Sequence, residues 1–144
     1  MADETTVKFL YPPNFKGSFN KDEKGVKRYS ILCTNYSDGT GEDLVIKASR
    51  QNLWTTEGGV PLKLVVEKII YDISGMTVRV SYNNENDEEV AVLFGSEGTI
   101  DYTPQGGFTP EDQGDNDGGD VCFTTLNHTA GDSYTITLVV RPKW

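Results

Sequence analysis

Apolar residues concentrate between Leu62 and Tyr82, the longest apolar-rich run between turn signals in the chain. Its first part, 62–73, places valine and isoleucine on both faces of an extended ribbon, which is typical of a strand covered on two sides. In the second part, 76–82, apolar and polar residues alternate, so one face is predicted to be buried. Gly75 between them can take the positive φ of a tight turn. A helix over 62–73 is the alternative, but the β-branched residues and the glycine stop favour strands.

Similar patterns recur along the rest of the chain and predict further strands at 5–11, 28–35, 43–48, 90–94, 99–102, 121–126 and 133–141. The last has the cleanest alternation, with one face made of Tyr134, Ile136, Leu138 and Val140. The link Ser37–Gly41, SDGTG, predicts a hairpin between its flanking strands. About nine or ten short strands and no convincing helical pattern predict an all-β single domain over residues 1–144. Its architecture is expected to be a β-sandwich or barrel-like sheet with long irregular loops.

Two polar segments interrupt these strands. Residues 12–28 begin with two prolines and carry five cations against two anions, which predicts a polar, basic arm or loop. It is either a solvated loop or an arm, anchored by Phe15 and Phe19, that docks on an acidic neighbouring subunit. Residues 104–120 have no periodicity and are rich in glycine and aspartate, so they are predicted to form a long acidic loop held only by Phe108.

Charge and hydropathy narrow the class of partner. The net charge is −9, and the excess of acid lies after residue 50, where Lys and Arg number three against nine acids over 51–110 and two against six over 111–144. Phosphates would be repelled, so nucleic acid is not an expected partner. No apolar run approaches the ~20 residues that span a bilayer, and the first residues lack a signal pattern. A soluble protein made in the cytoplasm, with no membrane contact, is therefore expected.

Few residues offer catalytic chemistry. His128 is the only histidine, and no GxSxG motif accompanies it, so it is predicted to lie in a surface loop. Nothing in the spacing selects Cys33 with His128 as a nucleophile and base. Cys33 and Cys122 lie in apolar strands, where a free thiol behaves as a small hydrophobe, and a disulfide between them stays open. The chain is not expected to be an enzyme or to carry a cofactor.

One acidic loop has the oxygen ligands that a hard cation prefers. The candidate calcium ligands within EDQGDNDGGD are Asp112, Asp115, Asp117 and Asp120. Their spacing does not fit the EF-hand pattern. A solvated acidic loop is the favoured interpretation, with calcium binding as the alternative.

The second half of the chain combines Trp54, the run VVEKIIYDISGMTVRVSY, the loop GGFTP, and the segments GDVCFTT and GDSYTITLVVRPK. In this combination, from Trp54 to Lys143, it resembles a group of small virion proteins of tailed bacteriophages. The resemblance implies a structural protein of the virion, of the capsid cement or decoration type. Such proteins bind the major capsid protein on the outer surface of the head, often as homotrimers.

The predicted contact regions are the basic segment and the C-terminal end, with interface residues Phe15, Lys16, Phe19, Lys21, Lys24, Lys27, Arg28, Arg141 and Trp144. An acidic protein is placed more easily outside a DNA-filled shell than inside, and free strand edges suit pairing across subunits. The alternative is a carbohydrate-binding β-sandwich, on a tail fibre or secreted. It would present exposed aromatic faces as a sugar platform, for example Trp54, Tyr102 and Phe108.

Overall fold

The structure is a computed structural model that describes residues 3–11, 18–19, 28–49, 54–55, 63–83, 88–110 and 120–143, with only the backbone of Tyr11, 18–19 and 54–55. The described strands are β1 (Glu4–Tyr11), β2 (Ser18–Phe19), β3 (Tyr29–Tyr36), β4 (Val45–Ala48), β5 (Trp54–Thr55), β6 (Lys63–Ser74), β7 (Thr77–Tyr82), β8 (Glu89–Leu93), β9 (Glu97–Asp101), β10 (Val121–Leu126) and β11 (Ser133–Lys143). A 3-10 helix, Thr103–Gln105, follows β9. The predicted all-β class is confirmed.

Nine of these strands form two antiparallel sheets. The first sheet has the order β1-β3-β11-β6-β9, and the second has the order β4-β10-β7-β8, while β2 and β5 pair with each other in parallel. Without β1, the two sheets have four strands each, and their order is that of a jelly roll, in which two Greek keys interlock. The architecture is thus a sandwich, extended at one edge by β1.

The connections divide between the two ends of the sandwich. Four short links that cross from one sheet to the other gather at what we term the short-loop end, and they are 37–44, 75–76, 94–96 and 127–132. There the Ser37 amide donates to the Asp132 carbonyl at 2.8 Å. The register of the strands makes the remaining segments start and finish at the opposite, long-loop end, and these are 12–28, 49–62, 83–88 and 102–120. The strand β11 also ends there, where Lys143 pairs with Lys63.

The first part of the central apolar stretch is covered on two sides over only half its length. Residues Leu64–Glu67 are all buried. The pairing of β6 with β11 then shifts by one residue at Glu67, which forms a β-bulge. Beyond the bulge one face is buried and the other faces solvent, so Ile70 is exposed. The prediction that both faces are covered is therefore wrong at Ile70.

Of two predicted turns, one is confirmed and the other is wrong. Gly75 has φ of 90° and turns the chain between β6 and β7, as predicted. The hairpin predicted at Ser37–Gly41 is wrong, because β3 lies in the first sheet and β4 in the second. The link 37–44 is longer than a hairpin loop, and Gly39 and Gly41 have positive φ that carries the chain across the sandwich.

The first part of the predicted acidic loop is ordered against the core. Strand β9 ends at Asp101 rather than at 102, and the 3-10 helix leads to Phe108. The Phe108 amide donates to the Val66 carbonyl at 2.7 Å, and the Val66 amide donates back at 3.1 Å. Phe108 therefore holds this segment, as predicted, but not alone, because Lys63 also donates to the Pro110 carbonyl at 3.2 Å and Arg141 to the Gly106 carbonyl at 2.9 Å. Residues 111–119 lie outside the described residues.

The hydrophobic core fills the space between the two sheets. The inward residues of β11 are buried, as their alternation predicts: Tyr134, Ile136, Leu138 and Val140. They face buried residues of the second sheet such as Val78, Val80 and Phe123. Cys33 and Cys122 are both buried, and no disulfide joins them.

Candidate functional site

A charged cluster lies inside the sandwich near its short-loop end. It consists of Glu42 from the link before β4, Lys47 of β4, Asn35 of β3 and Tyr134 of β11. The Lys47 side chain is 1% exposed and that of Glu42 is 5% exposed. Charged groups are rarely buried so completely without close partners. We refer to these four residues as the buried cluster.

The Glu42 carboxylate is the centre of the buried cluster. Its Oε2 accepts a hydrogen bond from Lys47 Nζ at 2.5 Å. Its Oε1 accepts from the Tyr134 hydroxyl at 2.5 Å and from Asn35 Nδ2 at 3.1 Å. Burial, together with the adjacent Glu42 carboxylate, raises the pKa of Tyr134, so this hydroxyl stays protonated and acts as a donor.

A β-bulge turns Lys47 inward. The pairing of β4 with β10 shifts between Ala48–Val121 and Ile46–Cys122, which leaves Lys47 as the extra residue. Glu42 is fixed by Thr125, whose hydroxyl accepts from the Glu42 amide at 2.8 Å. No sequence pattern singles out either residue, because the bulge breaks the alternation that would otherwise assign their faces.

Asp3 closes the buried cluster on the outside. Its Oδ2 accepts from Asn35 Nδ2 at 3.0 Å, and its Oδ1 accepts from the amides of Asp38 and Gly41, each at 3.1 Å. Burial raises the pKa of this carboxyl, but the hydrogen bonds from Asn35 and the two amides outweigh burial. The net pKa of Asp3 lies below its usual value.

This lowered pKa predicts a pH-dependent contribution to stability. Since ionised Asp3 is favoured in the folded state, its contribution is present above the unfolded pKa of 3.8 and is lost as the pH falls through the lower folded pKa. Asp3→Asn is therefore expected to lower Tm at neutral pH. The difference from the unmodified protein should shrink below pH 3.8, as measured by thermal unfolding from neutral to acidic pH. A difference independent of pH would contradict this role.

The rest of the surroundings of Lys47 are apolar. Its Nζ lies 5.9 Å from the centroid of the Phe123 ring. Burial raises the pKa of the nearby Cys33 thiol to about 12, so this thiol is a poor nucleophile. The Asn35 Oδ1 atom is buried and has no hydrogen-bond partner.

His128 holds two links of the short-loop end together. Its Nε2 lies 3.0 Å from the Thr40 carbonyl oxygen, and its Nδ1 lies 3.4 Å from the Thr125 hydroxyl. The ring also packs so closely on Gly41 that a side chain there would overlap it. His128 lies in the predicted loop, but it is half-buried and bridges 37–44 to 127–132 rather than projecting into solvent.

Of the predicted interface residues, Arg28 and Arg141 have side chains that the structure describes. Arg28 Nε lies 2.5 Å from Glu67 Oε1, and Arg141 Nε lies 3.4 Å from Glu67 Oε2. Arg141 also donates to the Gly106 carbonyl at 2.9 Å. Both arginines therefore neutralise a buried carboxylate at the long-loop end. Outside the described residues or side chains lie Phe15, Lys16, Phe19, Lys21, Lys24, Lys27 and Trp144.

Three of the four predicted calcium ligands, Asp112, Asp115 and Asp117, lie outside the described residues. The fourth, Asp120, accepts the Asn83 amide on its backbone carbonyl at 2.7 Å. Among the residues that the structure describes, no group of three or more His, Cys, Asp or Glu side chains could hold a metal ion. The same residues include no helix that is long and apolar enough to cross a membrane.

The predicted sugar platform is packed against the core where it is described. Tyr102 donates to the Val90 carbonyl at 2.7 Å. The Phe108 ring stacks on Tyr82 with 6.0 Å between centroids and meets Tyr102 edge-on at 5.4 Å. The side chain of Trp54 lies outside the described part of the chain.

Each described sheet has two edge strands, β1 and β9 in the first and β4 and β8 in the second, and exposed apolar side chains lie on β1, β4 and β8. In the described sheets β1 borders only β3, and β4 borders only β10. Val7 shares the inner face with Cys33, yet it is 44% exposed, because β1 extends the first sheet past the second. We use the name edge patch for Val7 of β1 and the exposed residues near and within β4, namely Leu44, Val45 and Ile46. The sequence predicts strand edges that could pair with another subunit, but not the positions of these four side chains.

Comparison with known proteins adds no relative to these findings. No family model, curated protein or solved structure matches the chain. Inferences about its function therefore rest on its own residues.

Proposed function

We propose that this chain is a virion structural protein that binds other protein subunits, as a capsid cement or decoration protein on the outer surface of a phage head. The observation that carries the proposal is the edge patch, where apolar side chains stay exposed beside strands that have one neighbouring strand each among the described residues. Soluble monomers usually protect such edges with charge, bulges or covering loops. β1 and β4 each contain a bulge, yet these apolar side chains stay exposed, which favours a partner protein that covers them.

The edge patch suits a second copy of the same chain. Asn35 on β3 and Lys47 on β4 reach the same Glu42 carboxylate, so β3 and β4 face each other across the core. The free edges of β1 and β4 therefore lie along one side of the sandwich. A partner strand there would gain backbone hydrogen bonds and cover Val7 and Val45. This arrangement supports the homotrimer implied by the resemblance.

The opposite, long-loop end suits the major capsid protein. The described residues next to the basic segment 12–28, the start of the acidic segment 104–120 and the end of β11 lie at this end. Here Arg28 and Arg141 hold the bases of the two predicted contact regions together through Glu67. A protein that binds neighbouring capsomers only in the assembled shell shifts the equilibrium toward assembly.

The fold and the charge are compatible with this role. Jelly rolls occur in viral capsid proteins and in lectins, so the fold alone does not choose between them. A net charge of −9 would repel packaged DNA and favours a position outside the shell. The carbohydrate-binding alternative has less support, because Tyr102 and Phe108 pack inward.

Binding to heads tests the proposal. Purified protein is expected to co-sediment with expanded heads of the phage that encodes it and not with immature heads. Val7→Lys is expected to convert the trimer to monomers in light scattering, because a charge would lie at the pairing edge. Thr135→Lys, on the exposed outer face of β11, is the matched control and should leave the trimer intact. A monomer that binds glycans and sediments with neither kind of head would overturn the proposal.

A further inference from the structure

We propose that the side chains of Lys47 and Asn35 become joined by an amide bond that the folded chain forms by itself, with Glu42 as the proton shuttle. Three features of the buried cluster carry this inference. One carboxylate contacts both an amine and a carboxamide, all three residues are buried, and the carboxamide oxygen lacks a partner. This modification is independent of the proposed function.

Lys47 is the nucleophile. An amine attacks a carbonyl only in its neutral form, so the ammonium must first lose a proton. Glu42 Oε2 lies 2.5 Å from Nζ and can accept that proton directly.

Asn35 provides the electrophilic carbon, Cγ. Its leaving nitrogen, Nδ2, is held by Glu42 Oε1 at 3.1 Å and by Asp3 Oδ2 at 3.0 Å. Its carbonyl oxygen has no hydrogen-bond partner, although Asn35 is almost fully buried. Such an unpaired oxygen is costly in a folded protein and needs an explanation. Because Oδ1 accepts no hydrogen bond, the reaction breaks no contact on the carbonyl side of this carboxamide.

The steps balance without an oxidant or cofactor. Nζ forms a bond to Cγ, and the C=O π electrons move to Oδ1. Glu42 takes a proton from Nζ on one oxygen and delivers a proton to Nδ2 from the other. The electrons on Oδ1 then reform the carbonyl, the Cγ–Nδ2 bond breaks, and ammonia leaves. An amine and a primary amide thus become a secondary amide and ammonia.

The fold explains why these groups would react with each other. Asn35 lies in the first sheet and Lys47 in the second, and both point into the space between the sheets. Fixing two reactants next to a proton acceptor raises their effective concentration by many orders of magnitude. The remaining N–H of the product can keep the contact with Glu42. The bond would fasten the two sheets to each other near the short-loop end.

Mass spectrometry of the folded, purified protein tests the proposal. The intact mass is expected to fall below the sequence mass by about 17 Da, the mass of ammonia. Trypsin should fail to cleave after Lys47, so the modified peptide spans 29–50, between the cleavage sites after Arg28 and Arg50. Fragment ions from backbone breaks between positions 35 and 47 should be missing, because the cross-link holds the pieces together. A full sequence mass with normal cleavage after Lys47 would overturn the proposal.

Variants separate the cross-link from other losses of ammonia. Lys47→Arg keeps the positive charge but cannot form the bond, so its mass should equal its sequence mass. Lys68→Arg, on the outer face of β6, should retain the loss. A cyclic imide formed by Asn35 alone would lose ammonia in Lys47→Arg as well, which would refute the cross-link. Should Lys47→Arg not fold, the fragment ions of the unmodified sequence decide the question.

Discussion

Replacing Glu42 by glutamine is expected to lower the free energy of unfolding by about 3–5 kcal/mol, because it removes the anion beside a buried lysine. Lys47 is 1% exposed, and Glu42 accepts its hydrogen bond at 2.5 Å. Glutamine keeps the size of the side chain and an oxygen that Tyr134 can contact. The loss therefore does not arise from a cavity but from the missing charge of Glu42 and from the Lys47–Asn35 bond that this carboxylate is proposed to help form. Denaturant unfolding at neutral pH measures it.

Glu97→Gln is the matched control for this variant. Glu97 is an exposed acid on β9, so the same chemical change is expected to alter stability by no more than about 0.5 kcal/mol. A similar, small effect of both variants would mean that water reaches the Lys47 ammonium in the folded protein. Because Glu42→Gln also removes the proposed proton shuttle, its intact mass should be measured with its stability.

Phe123→Ala is expected to destabilise the protein by about 3–5 kcal/mol, the usual cost of truncating a fully buried aromatic residue. Phe123 has 0% exposure and meets the Tyr134 ring edge-on at 5.6 Å between centroids. Its removal leaves a cavity between β10 and β11 and uncovers Lys47 on its apolar side. Denaturant unfolding measures the change in the free energy of unfolding. The slope of that free energy against denaturant concentration should be compared with the slope of the unmodified protein.

Phe94→Ala serves as the control for this second variant. Phe94 follows β8 and is 68% exposed, so its removal should change the free energy of unfolding by less than about 1 kcal/mol. If the two phenylalanine variants were equally destabilised, the assignment of Phe123 to the centre of the core would be wrong.

The alternation of side chains predicted which residues face the core, but it did not predict how the strands pair. In β11 every second residue from Tyr134 to Val140 is buried, because a regular strand has a period of two. The partner of a strand depends on contacts far apart in sequence. For this reason the SDGTG link looked like a hairpin, although β3 and β4 belong to different sheets.

The residues of the buried cluster were hidden from sequence reasoning for the same physical reason. Lys47 turns inward only because β4 contains a bulge against β10, more than 70 residues away in the chain. Glu42 follows a glycine-rich turn and resembles any solvated acid. Arg28 and Arg141 were predicted as free contact residues, but their shared partner Glu67 becomes visible only in the folded chain.

The first and last strands reach opposite ends of the sandwich, so the two ends of the chain differ as sites for a fused peptide. Glu4 begins β1 at the short-loop end, whereas Lys143 ends β11 at the long-loop end. A peptide fused ahead of Asp3 would thus project away from the long-loop end, which we propose binds the major capsid protein. A peptide fused after residue 144 would compete with that binding. Any such fusion should retain Asp3, whose carboxylate fastens the start of the chain to the Asp38 and Gly41 amides.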